Sequence, residues 1–350
     1  MIKNEISEKM KPIMDKIANE IKNASKIILR YHNDADGITG ALAIYKALNS
    51  RKLLTFQNKG VTYEPGDALS DIRILQNESN PLVILTDFST NSESKEARQL
   101  IKKSGIGLII IDHHPTEEKI QADIYLSPWE LNGNSFYTAG WMCCEIAKIL
   151  GFKEADELSK IALTGDKSIF YKPTKEDKEK AIVLDYIGIY SRFPNTLEFY
   201  DSVLNDRILF TSISASAMEK LDEIAEVADK YSRVKEIKNI KLVILQLDKI
   251  VKRFSFPSKS KATGAVFDRY DEENKPFILI GYGERLITIR TNINAQEIGL
   301  GADVIVKKIK ESLSDLIISG GGHPGASAMR IQKDSAKIII NEVLKIVERI

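Results

Sequence analysis

The sequence predicts an α/β protein of two domains: an N-terminal, doubly wound, mainly parallel sheet and a smaller C-terminal α/β domain, joined by a long helix. Three observations predict it. Apolar, β-branched runs alternate with helical patterns through the first part of the chain, as strands buried on both faces of a parallel sheet require. A long charged segment past the middle has helical spacing. After it, short strands recur beside a cluster of glycines.

The elements follow in order. Ile6, Met10, Ile13, Met14, Ile17 and Ile21 recur at helical spacing, so the chain opens on an amphipathic cap helix, and no signal sequence is expected. Lys26–Tyr31 is expected as a strand, Ile38–Leu48 as a helix, Leu53–Gln57 as a short strand and Asp67–Gln76 as a short helix. Pro81–Thr86 and Ile106–Ile111 are strands, with a helix over Ser92–Lys103 between them. A mostly helical stretch follows, near Phe136–Leu150, Glu154–Thr164, Lys175–Tyr190 and Leu197–Asn205. Ser214–Lys238 reads as one charged connector helix. Beyond it, Lys241–Leu247, Ala262–Arg269, Phe277–Gly281 and Arg285–Asn292 read as strands, then a helix Ala302–Ser312, the glycine cluster, a strand Ala326–Ile331 and a terminal helix. The expected domains are 1–210, the connector 211–239, and 240–350.

Composition narrows the classes of function. Of 350 residues, 43% are hydrophobic and 28% charged, ordinary for a globular chain, and the net charge of +1 gives no global basic field. No apolar run reaches the roughly 18 residues of a membrane span. Cys143 and Cys144 are adjacent inside a helical pattern, which makes neither a disulfide framework nor a zinc spacing and fits buried thiols in a cytoplasmic protein.

In an open parallel sheet, ligands bind beyond the carboxyl ends of the strands. There the sequence places His32, Asp34 and Asp36 after the first strand, Asp87 after Pro81–Thr86, and Asp112, His113 and His114 after Ile106–Ile111. Asp166 follows the helix ending near Thr164. These converge as five carboxylates and three imidazoles, and like charges about 4 Å apart repel by roughly 4 kcal/mol per pair at an effective dielectric near 20. A cation is expected to hold them together, and mixed carboxylate and imidazole ligation suits Mn²⁺, with Mg²⁺ or Zn²⁺ behind it. Asp87 alone also reads as a helix N-cap, a role that Ser89 or Thr90 can take instead. Lys167, beside Asp166, reads as a phosphate contact or as surface.

The ordered set His32–Gly37, Asp87, Asp112–His114 and Asp166 resembles the four N-terminal motifs of the DHH phosphoesterase superfamily. Gly320-Gly321-Gly322-His323-Pro324-Gly325-Ala326 is similar to the glycine motif of the DHH-associated domain. The resemblance covers essentially the whole chain. It departs in the first motif, where RecJ-type proteins often begin Asp-x-Asp and this chain has His32-Asn33-Asp34.

The resemblance implies a two-ion Mn²⁺ centre: His32, Asp34 and Asp87 on one ion, and Asp36, Asp87 and His113 with Asp166 on the other. It implies that Asp112 orients an imidazole and that His114 faces the phosphate. It gives Arg290, Gly320, Gly321, Gly322 and His323 to substrate. Lys252–Lys261 adds basic residues and Phe254 and Phe256, which read either as base-stacking rings or as loop anchors. The implied activity is a RecJ-like, archaeal-type exonuclease working from an end of single-stranded DNA or RNA. The alternatives are a phosphodiesterase for short oligoribonucleotides or cyclic dinucleotides, and a replication scaffold bound to GINS. Nucleic acid, GINS and a second copy of the chain are thus the expected partners, with no membrane. A pyrophosphatase is disfavoured, because its basic phosphate signature is missing from the second domain.

Overall fold

The structure is a computed structural model that describes residues 2–48, 52–116, 119–190, 193–252, 256–272 and 274–350, with the side chain of His323 outside the description. The chain forms two compact units, Met1–Ser214 and Ala215–Ile350.

The first unit runs α1 (Glu5–Asn23), β1 (Lys26–His32), α2 (Ala35–Leu48), β2 (Leu53–Asn58), α3 (Pro65–Leu75), β3 (Pro81–Thr86), α4 (Lys95–Lys103), β4 (Gly107–Ile111), β5 (Ile124–Leu126), α5 (Ala139–Leu150), α6 (Ala155–Gly165), α7 (Lys175–Ile189) and α8 (Leu197–Asn205), then enters α9 (Arg207–Tyr231). Its strands pair in the order β2-β1-β3-β4-β5, parallel throughout. Ile28, Val83 and Leu108 share one row, and with Ala97 and Ile101 of α4 and Ala68 and Leu75 of α3 they form one core. The neighbouring row, Leu29, Ile84 and Ile109, is buried on the opposite face, where α2 packs on β1 and against α5. Each such fully buried Val, Leu or Ile contributes about 1.5–3 kcal/mol.

Strand order reverses between β1 and β3, and open α/β sheets leave a crevice at such a switch point. α1 is amphipathic as expected, with Met10, Met14, Ile17 and Ile21 buried and a capping box between Asn4 and Ser7. β5 has no counterpart among the sequence expectations, since three residues are too few to show a period.

The second unit continues from α9 through β6 (Ser232–Ile237), β7 (Ile240–Gln246), α10 (Leu247–Ile250), α11 (Lys259–Tyr270), β8 (Phe277–Tyr282), β9 (Leu286–Thr291), α12 (Ile293–Glu297), α13 (Ala302–Ser312), β10 (Ile317–His323), β11 (Ala326–Ile331) and α14 (Ala336–Glu348). Its six strands order as β10-β11-β9-β8-β7-β6, mixed, with only β7 and β8 parallel. One face carries Leu242, Ile278, Ile280, Ile287, Ile289 and Met329 in a core with Ile305 of α13 and Val343 of α14. The other packs Val243, Leu279 and Phe277 against Val266 and Phe267 of α11.

Two expectations change here. The connector helix stops at Tyr231, and Ser232–Ile237 is an edge strand folded back on β7. The cause is a two-residue turn, Lys238-Asn239, with both residues at positive φ (45° and 66°), which matches strand twist. Ala262–Arg269 is helix rather than strand. Ser258 caps that helix through Lys261 N–H, and Ala262, Val266 and Phe267 bury one helical face, so tertiary burial overrides the β propensity of Val and Phe. The glycine cluster, assigned to no element from the sequence, is strand: Gly320, Gly321 and Gly322 lie within β10, paired with Met329, Ala328 and Ser327. Of the two phenylalanines read as stacking rings or anchors, Phe256 is buried and Phe254 lies outside the described residues.

Candidate metal centre

The four sequence segments meet at the carboxyl end of the first unit's sheet. β1 ends on His32, whose Nδ1 lies 2.9 Å from Asp34 Oδ2 and 3.5 Å from Asp87 Oδ2. Asp87 directly follows β3, in a left-handed backbone (φ 66°) and 1% exposed. His113 follows β4 by two residues, and its Nε2 lies 3.3 Å from Asp87 Oδ1, 3.1 Å from Asp166 Oδ2 and 3.9 Å from Asp36 Oδ2. Asp166 is the C-cap of α6.

Asp87 therefore turns one oxygen to each imidazole. Neither of its oxygens makes a hydrogen bond, and the same holds for His32 Nδ1 and His113 Nε2, all four atoms being buried. Buried polar atoms are almost always hydrogen-bonded, so four orphans, one imidazole nitrogen beside each Asp87 oxygen, mark the places of absent partners. Among the described residues, three groups have ligand atoms close enough for an ion: His32, Asp34 and Asp87; Asp36, His113 and Asp166; and Asp87, His113 and His114. Asp87 and His113 each belong to two of them. The residues fit a pair of divalent cations by number, type and orphaned atoms.

The surroundings orient the donors. His113 Nδ1–H donates to the Ser135 carbonyl at 2.7 Å, which leaves Nε2 turned to the acids. Trp129 Nε1–H and the Ser135 hydroxyl both donate to the His113 carbonyl, at 2.9 and 2.8 Å. Asp36, fully buried in the first turn of α2, accepts from Ala139 and Gly140 N–H at 2.9 and 3.0 Å, where the N-terminus of α5 favours an anion. A Cβ on Gly140 would come within 2.8 Å of Asp36 Oδ1, and one on Gly37 within 2.5 Å of the His32 carbonyl. Asp185 of α7 accepts from Ala35 N–H at 2.9 Å and braces the loop carrying Asp34.

Asp112 lies outside the three groups. Its Oδ1 accepts from His114 Nδ1 at 2.7 Å and its Oδ2 from the Thr90 hydroxyl at 2.8 Å. His114 is thereby fixed with its side chain 48% exposed and Nε2 free of that bond.

Charge balance follows from these neighbours. Burial opposes protonation of His32, but Asp34 and Asp87 outweigh it and hold the imidazolium well above the ordinary range. His113 is raised in the same way, against burial, by Asp166 and Asp87. Burial first, then Asp87 and Asp166, push Asp36 well up; burial and Asp34 push Asp87 up. Asp112 runs the other way: burial would raise it, and His114 pulls it below the usual carboxylate value. Without an ion, protons take the place of positive charge among these acids.

Of the remaining expected residues, Lys167 is exposed at positive φ (51°). Arg290, Gly320, Gly321, Gly322 and His323 belong to the second unit. There His323 pairs with Ala326 and Ala326 with Arg290, so these positions form one row across β10, β11 and β9. Arg290 Nη2 donates to the Ser260 hydroxyl at 3.2 Å. Asp87 is not a helix cap, because Asn91 Oδ1 accepts from Ser94 N–H instead. Ser135, Gly140 and Asp185 went unremarked in the sequence. Each acts across more than twenty residues of chain, and only Thr138-Ala139-Gly140, a helix start, left any local sign.

Residues 26–165 match the family model described as the DHH family, N-terminal domain; the match stops one residue before Asp166. Uncharacterized protein MJ1198 of Methanocaldococcus jannaschii is 24% identical over 421 residues, covering 99% of this chain. The chain spans 55% of that relative's length. Among solved structures, the DHH domain of a protein described as a member of a family of ribosomal proteins superposes with a TM-score of 0.86 at 23% identity, covering 100% of this chain and 93% of that one. RecJ of Thermus thermophilus in complex with Mn²⁺ gives 0.58 at 11% identity, over 97% of this chain and 55% of that one. An exopolyphosphatase-related protein from Bacteroides fragilis gives 0.55 at 15% identity, over 97% of each. At these identities the likeness is one of fold.

Proposed function

Since the chain is a member of the DHH superfamily, with that family's N-terminal domain over residues 26–165, we propose that it is a phosphodiesterase dependent on two divalent ions, Mn²⁺ or Mg²⁺, that removes nucleotides from an end of single-stranded DNA or RNA. The observation that carries this reading is Asp87, whose two buried, unbonded oxygens face two different imidazoles. His32 and Asp34 complete one ligand set, and Asp36, His113 and Asp166 the other. When bound, such a pair lowers the pKa of a water and offsets the charge that develops in an in-line displacement at phosphorus.

The chain's own residues do the rest. Ser135 keeps the His113 proton on Nδ1 and so keeps Nε2 available as a ligand. Asp112 holds the His114 proton on Nδ1 and raises the whole ring's affinity for a second proton, which makes Nε2–H a donor to a phosphate oxygen. In the second unit, Arg290 takes a substrate phosphate, and β10 lets it approach closely at Gly321, where a Cβ would meet nothing within 4 Å.

End-labelled single-stranded DNA, single-stranded RNA, dinucleotides and inorganic polyphosphate, each assayed with Mn²⁺, test the proposal. Stepwise shortening of a single strand is expected, as is its loss in His113→Ala, which removes a ligand shared by two of the three groups. Cleavage of polyphosphate alone, or strand digestion that survives His113→Ala, would overturn it.

A further inference from the structure

The bridging carboxylate sits in an awkward place. The segment between β3 and α4 turns through two non-glycine residues at positive φ, Asp87 (66°) and Ser89 (83°). Such conformations persist only where the surroundings hold them. Asp87 N–H donates to the Ile111 carbonyl at 2.9 Å, and Ser89 N–H to the Val61 carbonyl at 3.0 Å. Beneath the turn lies Arg98 of α4, 1% exposed. Its Nη1 donates to the Ser89 carbonyl and, at 3.0 Å, to the Asn91 carbonyl. Those two carbonyls flank Thr90, whose hydroxyl holds Asp112 and through it His114.

We infer that Arg98 is the positioning residue of the metal centre: its buried guanidinium gathers the Ser89 and Asn91 carbonyls, locks the left-handed turn, and so sets both the Asp87 carboxylate and the Thr90–Asp112–His114 chain. Arg98 belongs to none of the three ligand groups. It acts through backbone, by charge-assisted hydrogen bonds that are stronger than neutral ones in a buried setting. The inference rests on the metal-centre reading above and adds a residue to which no ligand role attaches.

Calorimetric titration of Mn²⁺ into the full chain tests it. Arg98→Met is expected to weaken binding of the ions by about 10- to 100-fold, the usual effect of removing a group that supports a metal ligand. Arg98→Lys should fall between, because an ammonium keeps the charge without the planar array of donors. Ile101→Ala, a truncation of a fully buried neighbour on the same helix, is expected to lower thermal stability while leaving Mn²⁺ affinity at the wild-type value. Ser89→Gly placed in the Arg98→Met protein should recover part of the affinity, since glycine adopts that φ without strain.

Wild-type affinity in Arg98→Met would overturn the inference, as would an equal loss in Ile101→Ala. If Arg98→Met does not fold, Arg98→Lys decides: wild-type affinity there overturns it and a partial loss supports it. A wild-type protein that takes up no Mn²⁺ would instead sink the metal-centre reading, and this inference with it.

Discussion

Asp87 shows what a buried charge costs when its partner is missing. Both of its oxygens are buried and unbonded, and burial and Asp34 push its carboxyl up. The ionised form is thus disfavoured in the fold, and the residue is better suited to binding than to stability, a trade common at functional sites. Asp87→Asn keeps the shape, and asparagine tolerates the left-handed backbone. The metal-free variant is therefore expected to be at least as stable as the parent at alkaline pH, where His32 and His113 no longer lend Asp87 a positive charge, while the gain in melting temperature on adding Mn²⁺ disappears. Thermal unfolding in chelator and in Mn²⁺ checks both halves. A variant destabilised without metal, or still protected by Mn²⁺, would contradict this account of the site. The eight acids and histidines of the first unit could be picked out of the sequence because each follows a buried strand or a helix end. Thr90, Ser135 and Asp185 could not, because a hydrogen bond to a residue 22 or 150 positions away leaves no local pattern.

The elements divide along similar lines. The parallel strands were readable from runs such as Pro81–Thr86, since burial on both faces leaves no polar alternation to confuse. The second unit was harder, because a mixed, mostly antiparallel sheet with one glycine-rich edge strand has no such signature. β10 offers a sharp comparison. At Gly322 the backbone has φ 146°, and a Cβ would lie 2.3 Å from the Ala326 carbonyl; at Gly321 it would meet nothing within 4 Å. Gly322→Ala is expected to destabilise the second unit by about 1–3 kcal/mol, read by denaturant unfolding. Gly321→Ala is expected to stay within about 1 kcal/mol of wild type yet to raise KM for a single-stranded substrate. If Gly321→Ala leaves KM unchanged, β10 is a structural strand and not a substrate contact.

The two ends of the titration range set the protein's response to pH as a unit. Below the ordinary imidazole value of 6.5, His32 and His113 are protonated in folded and unfolded chains alike, and their pairing with Asp34, Asp87 and Asp166 stabilises the fold in full. As pH rises past 6.5 toward the higher folded values, the unfolded chain releases protons that the fold retains, and that stabilisation drains away. Asp36 and Asp87 push in the same direction, because a carboxyl held above 3.8 makes ionisation a cost to the fold. Asp112 is opposite in sign, but its contribution is present above 3.8 and is lost only on acidification, so it offsets nothing near neutrality. The metal-free protein is therefore expected to lose stability as pH rises above 6.5. Mn²⁺ must displace those same imidazole protons, so its affinity climbs over that interval, and its stabilisation grows with it. The gap between the melting temperatures in Mn²⁺ and in chelator should widen steadily with pH, and calorimetry in buffers of different ionisation enthalpy should register protons released on binding. A gap that stays constant as pH rises above 6.5 would mean that the ions do not bind at His32 and His113.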